Sequence, residues 1–330
     1  MKSHGPYSCP ASEGGSVLIV TVWVLFLLGI LAAAVGVQAA RRLDAAERIR
    51  GRFQAYAAAR AGVATAVAVL ALGTNGWDAL SERWADSPGD FQDIPCGNGR
   101  FSVVRAPETQ VDGGVTNFGA ADESARIDLN YASADMIRGL LAVAGGLATG
   151  AADELSRTIV RQPADRGGSR PAGTNSFQCV QDLLGVAGMD EALFRRVEPY
   201  ITVCSGSRRV NINTVGPVVL ESLLRGVGTT PAGGGDAVPT LVRKILQFRQ
   251  GGGMFTPQAG LGLSGVLARS IKLEGNETAL LNALLPVVSV ASGRFRIVSE
   301  GECLMGRRFQ RRIECVWNRA ARRFEFWNED

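Results

Sequence analysis

The chain has 330 residues, with 35 basic and 31 acidic side chains, and its formal net charge of +4 is spread without a long basic block. That balance provides no electrostatic footprint for nucleic acid, while the length suffices for one large core or two ordinary ones. The single histidine, His4, falls in the first few residues, so the rest of the chain has no Ser/His or Cys/His nucleophile pair and no imidazole for zinc. Cys9, Cys96, Cys179, Cys204, Cys303 and Cys315 form no CxxC pair, which argues against metal-knuckle and redox motifs. Ser205-Gly206-Ser207 and Ser264-Gly265 lack a base partner, and the Gly233–Gly235 and Gly251–Gly253 runs lack the GK[ST] context of a phosphate cradle. An enzyme is not expected.

A short polar segment ends in Gly14-Gly15, and no charged side chain follows from Ser16 to Ala40. As a helix this run would be about 37 Å long, enough to cross a hydrocarbon core of about 30 Å. The small residues precede the apolar run, the reverse of a secretory signal peptide. Residues 41–72 remain rich in Ala with Arg and Glu. Within them Ile49, Phe53, Tyr56, Val63, Val67 and Leu70 recur at three- and four-residue steps, with Arg60 on the same line. The pattern predicts one long helix of about 55 residues, half in lipid and half outside, with one narrow apolar stripe along its outer half.

Gly73, Asn75 and Gly76 stop the helix. Residues 101–106 (FSVVRA) read as a strand and residues 125–129 (ARIDL) as its partner, with a Pro- and Gly-containing loop between them. Strand signals then vanish until residues 294–298, 308–316 and 322–327, which alternate and are joined by turns at Met305-Gly306 and Asn318-Arg319. In the second of these runs Phe309, Arg311, Ile313 and Cys315 share one face. Strands from both ends therefore form one antiparallel sheet, and the middle is an insertion. That middle contains a repeat. Arg126-Ile-Asp-Leu-Asn130 corresponds to Arg209-Val-Asn-Ile-Asn213, and each is followed by a helical run ending in a Leu pair, Leu140-Leu141 or Leu223-Leu224. Phe177 to Leu184 matches Phe255 to Leu263 more loosely. Asn130 and Asn213 suit N-cap roles.

The polar leader ending in Gly, the uncharged run and the amphipathic continuation resemble the prepilin family. With the head pattern, the resemblance extends over nearly the whole chain to the general secretion pathway protein K family, the K-type minor pseudopilins of type II secretion. It implies an α+β fold: a long N-terminal membrane-spanning helix on a small antiparallel sheet, with an inserted α-helical domain of two helix-hairpin-helix (SAM-like) repeats. The expected boundaries are 1–15 leader, 16–40 transmembrane helix, 41–72 its periplasmic continuation, 73–129 plus 286–330 the pilin-like head, and 130–285 the insertion. Prepilin peptidase would cleave between Gly15 and Ser16, with methylation to follow. Val20 then occupies mature position five, where most pilins carry glutamate. A carboxylate in hydrocarbon is costly without a partner, and a subunit at the filament tip has no neighbour above to supply one.

The resemblance further implies a single pass through the bacterial inner membrane with the head in the periplasm, although Arg41, Arg42, Arg48 and Arg50 run against the positive-inside rule. The implied partners are the I and J minor pseudopilins, other pseudopilins, prepilin peptidase and inner-membrane lipid. Calcium is known in the family, and Asp112, Asp122, Glu123 and Asp128 fall in or beside one loop. Solvated surface carboxylates are the reading that the residues favour. Cys179 and Cys204 bracket one compact segment and are the candidate disulfide, with two separate buried thiols the equal alternative. The rival function is a membrane-anchored helix-hairpin-helix receptor for DNA uptake, its hairpins at Val186–Met189 and Gly251–Gly253. Asp190 and Glu191, just after the first hairpin, would repel phosphate, so no nucleic-acid partner is expected.

Overall fold

The small side chains of the second half of the first helix decide how the head packs. In the computed structural model, which describes residues 5, 14–73, 76–105, 117–161, 177–227, 237–257 and 262–330, helix α1 runs without interruption from Gly14 to Leu72. Its buried line is Ala55, Ala58, Ala59, Gly62, Val63, Ala66 and Leu70, spaced at three and four residues. Of the apolar stripe read from the sequence, Val63 and Leu70 are buried, while Ile49 and Phe53 are 71% and 67% exposed on another face. Helix and sheet approach closely. A Cβ on Gly62 would strike Ser299 Oγ and the Phe101 ring, and a Cβ on Gly301 would strike the backbone of Ala55 and Ala59. At these two points large side chains have no room, whereas Val63 and Leu70 fill the core beyond them.

After α1 the chain forms a short helix α2 (Pro88–Phe91) and strands β1 (Ile94–Cys96), β2 (Gly99–Val103), β3 (Ala121–Asp122) and β4 (Ile127–Asp128). A helical stretch follows: α3 (Ala134–Val143), α4 (Thr149–Val160) and α5 (Glu191–Val197), then β5 (Ile201–Thr202) and β6 (Val210–Asn211). Next come α6 (Pro217–Val227), α7 (Ala237–Gln250), α8 (Leu263–Ser270), α9 (Gly275–Leu284) and β7 (Val288–Ser289). Strands β8 (Arg294–Met305), β9 (Arg307–Asn318) and β10 (Arg323–Glu329) complete the chain.

The main sheet has the order β1-β2-β8-β9-β10, antiparallel throughout, with β3 paired to the start of β8. Strands from both ends of the chain therefore share one sheet. β8 and β9 form a long hairpin from Arg294↔Asn318 to Met305↔Arg307, turning at Gly306 with φ +64°. Alternation sends Phe295, Ile297, Ile313 and Cys315 into a core against α1, with Phe91, Phe101, Val103 and Trp84. One expected pairing is corrected. β2 lies against β1 and β8, while Ile127 and Asp128 pair in parallel with Ile201 and Thr202.

The helices have a second, larger core of their own, and the sequence repeat appears in it as repeated geometry. β4 pairs in parallel with β5, and β6 pairs in parallel with β7. α3 and α6 cross at small residues: a Cβ on Gly139 would meet the Ser222 carbonyl, and one on Gly226 the Asp135 carbonyl. Asn130 and Asn213 are not N-caps, since the α3 cap is Ser133 and α6 begins only at Pro217. Each acts as a clasp. Asn130 Nδ2 donates to the Phe177 carbonyl (3.0 Å) and Asn130 Oδ1 accepts from the Phe177 amide (3.0 Å). Asn213 makes the same pair with Phe255, at 2.9 and 2.8 Å. A carboxamide can stand in for a peptide group in this way because it carries both a donor and an acceptor.

Replacing Asn213 with Ala leaves the amide and carbonyl of Phe255 buried without that partner. At roughly 1–3 kcal/mol for each of the two unsatisfied groups, the loss of stability should be about 2–6 kcal/mol. Denaturant titration followed by circular dichroism checks this, and a loss within error of zero would dismiss the clasp.

Candidate functional site

The most chemically loaded part of the molecule is where the chain passes between the sheet and the helical core. Asp122 ends β3 and is 5% exposed, Glu123 is 1% exposed and Asp128 is 2% exposed. These are not the solvated loop carboxylates that the sequence favours. Each is buried and surrounded by its own donors. Asp122 Oδ2 accepts from Ser292 Oγ (2.6 Å), Thr214 Oγ1 (2.6 Å) and Asn211 Nδ2 (3.2 Å), and Oδ1 accepts from the Ser124 amide (2.8 Å). Glu123 accepts from Thr202 Oγ1 and from Arg296, whose guanidinium also holds Glu314. Asp128 accepts from Ser205 Oγ (2.9 Å) and the amides of Gly206 (2.8 Å) and Asn130 (2.9 Å).

Asp78 joins the first of these clusters. It takes both arms of the Arg319 guanidinium at 2.7 Å, together with the Ser292 amide at 2.7 Å. Segments separated by more than two hundred residues thus meet on buried charge. Asp78, Asn211, Ser292, Arg296 and Arg319 carry no motif of their own. The repeat does contain a hint of one of them, because Asn211 stands where the first copy has Asp128. Both side chains accept from the amide two residues on, at 2.9 Å.

The electrostatics differ between the three. Burial raises the Asp122 carboxyl to about 6, against opposing hydrogen bonds from Ser292, Thr214 and Ser124 and with help from the Asp78 charge. Burial also pushes Glu123 upward, but Arg296 and Arg126 outweigh it and the net shift is downward. Asp128 is raised by burial, partly offset by the Asn130 and Gly206 amides and the Ser205 hydroxyl.

Calcium requires carboxylate oxygens with room for the ion. Asp122, Glu123 and Asp128 face separate donor sets, and among the described residues no group of three or more His, Cys, Asp or Glu could hold a metal. These three do not fit a shared calcium site. Asp112 lies outside the described residues. Cys179 and Cys204 are both free thiols, so the candidate bridge is absent from the structure. Cys179 is exposed beside Asp182, whereas burial and the Glu123 charge push the half-buried Cys204 thiol up to about 11.

The hairpins considered for DNA are turns, with Gly188 at φ +93° and Gly252 at φ +82°. After the first, Asp190 Oδ1 accepts from the Leu193 amide at 2.7 Å, so a carboxylate occupies the place a phosphate would take. Gly15 and Ser16 lie in the first turn of α1, and Val20 is exposed on it. Among the described residues α1 is the one helix long and apolar enough to cross a membrane.

A long N-terminal apolar helix on an antiparallel sheet, with further helices between its strands, places the chain in the α+β class. No protein-family model matches the sequence, and no curated protein does. A solved structure matches the fold: a chain of the GspK-GspI-GspJ complex from the enterotoxigenic Escherichia coli type 2 secretion system. The TM-score is 0.55 at 14% identity, over 88% of this chain and 99% of that one.

Asp122 yields a pH prediction. Its folded pKa of about 6 lies above the ordinary value of 3.8, so folding takes up a proton between those limits. Stability from this group is present below about pH 4 and lost as pH rises through about 6, by at most roughly 3 kcal/mol. The advantage of wild type over Asp122→Asn should therefore shrink across that window in thermal melts. A constant difference would show that Asp122 does not titrate there.

Proposed function

We infer that this chain is a minor pseudopilin of a type II secretion system, K-type, held in the inner membrane by α1 with its head in the periplasm. The observation that carries this reading is the fold likeness, which spans 88% of this chain and 99% of a chain from the GspK-GspI-GspJ complex. Buried carboxylates saturated with structural donors favour a role in assembly over catalysis. The apolar face of α1 agrees. Leu43, Ile49 and Phe53 lie beyond the uncharged run yet remain exposed, as expected for a helix that packs beside sister helices.

In this reading prepilin peptidase removes residues 1–15, and I- and J-type pseudopilins are the partners. Val20 in place of an acid suits a subunit with no neighbour above it, hence the tip, where assembly starts. The helical region would then block addition on that side.

Co-expression with prepilin peptidase and the I- and J-type subunits should give a ternary complex. Within it, intact mass should place the N-terminus of this chain at Ser16. An unprocessed Met1, cleavage after about residue 30 as for a signal peptide, or no association with either subunit would each end this reading.

A further inference from the structure

The β8–β9 hairpin runs down α1 toward its apolar half. Cys303 Sγ donates to Gln54 Oε1 at 3.0 Å, and the Phe309 ring fills the space a Cβ on Gly51 would need. At the tip, Arg307 lies 3.4 Å from Asp44. Asp44 is four residues past Ala40, where the uncharged run ends. At about 1.5 Å per residue that is about 6 Å along the helix. The headgroup layer of a bilayer extends about 5–7 Å beyond its hydrocarbon on each side. The hairpin tip therefore reaches headgroup depth.

Its composition suits that place. Leu304 is 65% exposed and points away from α1, on the face opposite Cys303. Arg307 and Arg308 flank the turn and are exposed, as are Arg41 and Arg42 on the helix. Local carboxylates are fewer than the arginines they serve. Asp44 serves both Arg48 and Arg307, Glu302 serves both Arg100 and Arg308, and no ion pair involves Arg41 or Arg42 among the described residues. An apolar side chain beside an excess of arginines over carboxylates is the pattern of a segment lying at a lipid interface.

We propose that the tip of the β8–β9 hairpin, with Arg41 and Arg42, is a docking surface for the anionic phospholipid headgroups of the bilayer that α1 crosses, with Leu304 entering the interface. The proposal rests on reading α1 as a membrane span. A second attachment beside the helix fixes the rotation of the head about α1, which a single helix leaves free.

Amide hydrogen exchange on the full chain in nanodiscs tests it, comparing phosphatidylcholine alone with phosphatidylcholine plus phosphatidylglycerol. The amides of residues 303–309 should exchange about tenfold more slowly in the anionic discs. Arg307→Gln with Arg308→Gln, or Leu304→Ser alone, should abolish that difference while residues 295–299 stay protected. If the double variant loses protection at 295–299, the Leu304 variant decides, because that side chain has no polar partner to lose. Equal exchange in the two lipids, or protection that survives Leu304→Ser, overturns the proposal. Residues 17–40 report separately: free exchange there would mean that α1 does not insert, and the span reading would fall with the proposal.

Discussion

How closely α1 approaches β8 is the constraint on which the rest of the head depends. Gly62 sits under Ser299 and Phe101, and Gly301 rides on the backbone of Ala55 and Ala59, so helix and strand meet with almost no side chain between them. Such a contact can be made only by Gly and Ala, and it fixes both depth and register. Where the contact relaxes, Val63 and Leu70 enter the core, while Leu43, Ile49 and Phe53 lie on other faces of the helix and stay exposed. α1 therefore carries an apolar outer face above its uncharged run.

The helical region is tied to this frame by buried polar groups as well as by apolar packing. Asp78 with Arg319, Asp122 with Ser292 and Thr214, and Glu123 with Arg296 all lie where the chain crosses between the two cores. Buried charge of this kind adds little net stability compared with apolar packing, but an alternative arrangement would strand a carboxylate without donors. The orientation of the helices relative to α1 is therefore well specified.

Legibility in the sequence followed locality. The β8–β9 hairpin and its turn at Gly306 were readable because period-two alternation and Met305-Gly306 are local signals, and α1 was readable from its length. The RIDLN and RVNIN repeat was readable too, and the structure turns it into two strand pairs of like design. The partner of Ile127 was not readable, because a two-residue parallel strand has no periodicity to detect. Asn130 and Asn213 stood out correctly but for the wrong role, since capping and clasping draw on the same side-chain chemistry. Periodicity found apolar residues on α1 without revealing that the sheet would take the small ones. The burial of Asp122, Glu123 and Asp128 depends on Ser292, Arg296 and Ser205, too distant in sequence for any local pattern to connect.

The two copies of the repeat also show how a shared backbone came to carry different charges. Asp128 and Asn211 occupy equivalent positions, and both accept from the amide two residues on. Around Asp128 the remaining neighbours are donors, Ser205 Oγ and the Gly206 amide, so a carboxylate is well served. Around Asn211 the neighbours are the Asp122 carboxylate and the Asp78 carbonyl, both acceptors, together with Ser292 Oγ. A carboxylate at 211 would add a negative charge beside Asp78 and Asp122 and would lose the donor that Asn211 gives to the Asp122 carboxylate. An amide keeps the acceptor that the repeat requires and turns a donor toward the head. Through that nitrogen Asn211 bonds the Asp78 carbonyl, the Asp122 carboxylate and Ser292 Oγ, and so ties the second copy of the repeat to the segments beside the sheet.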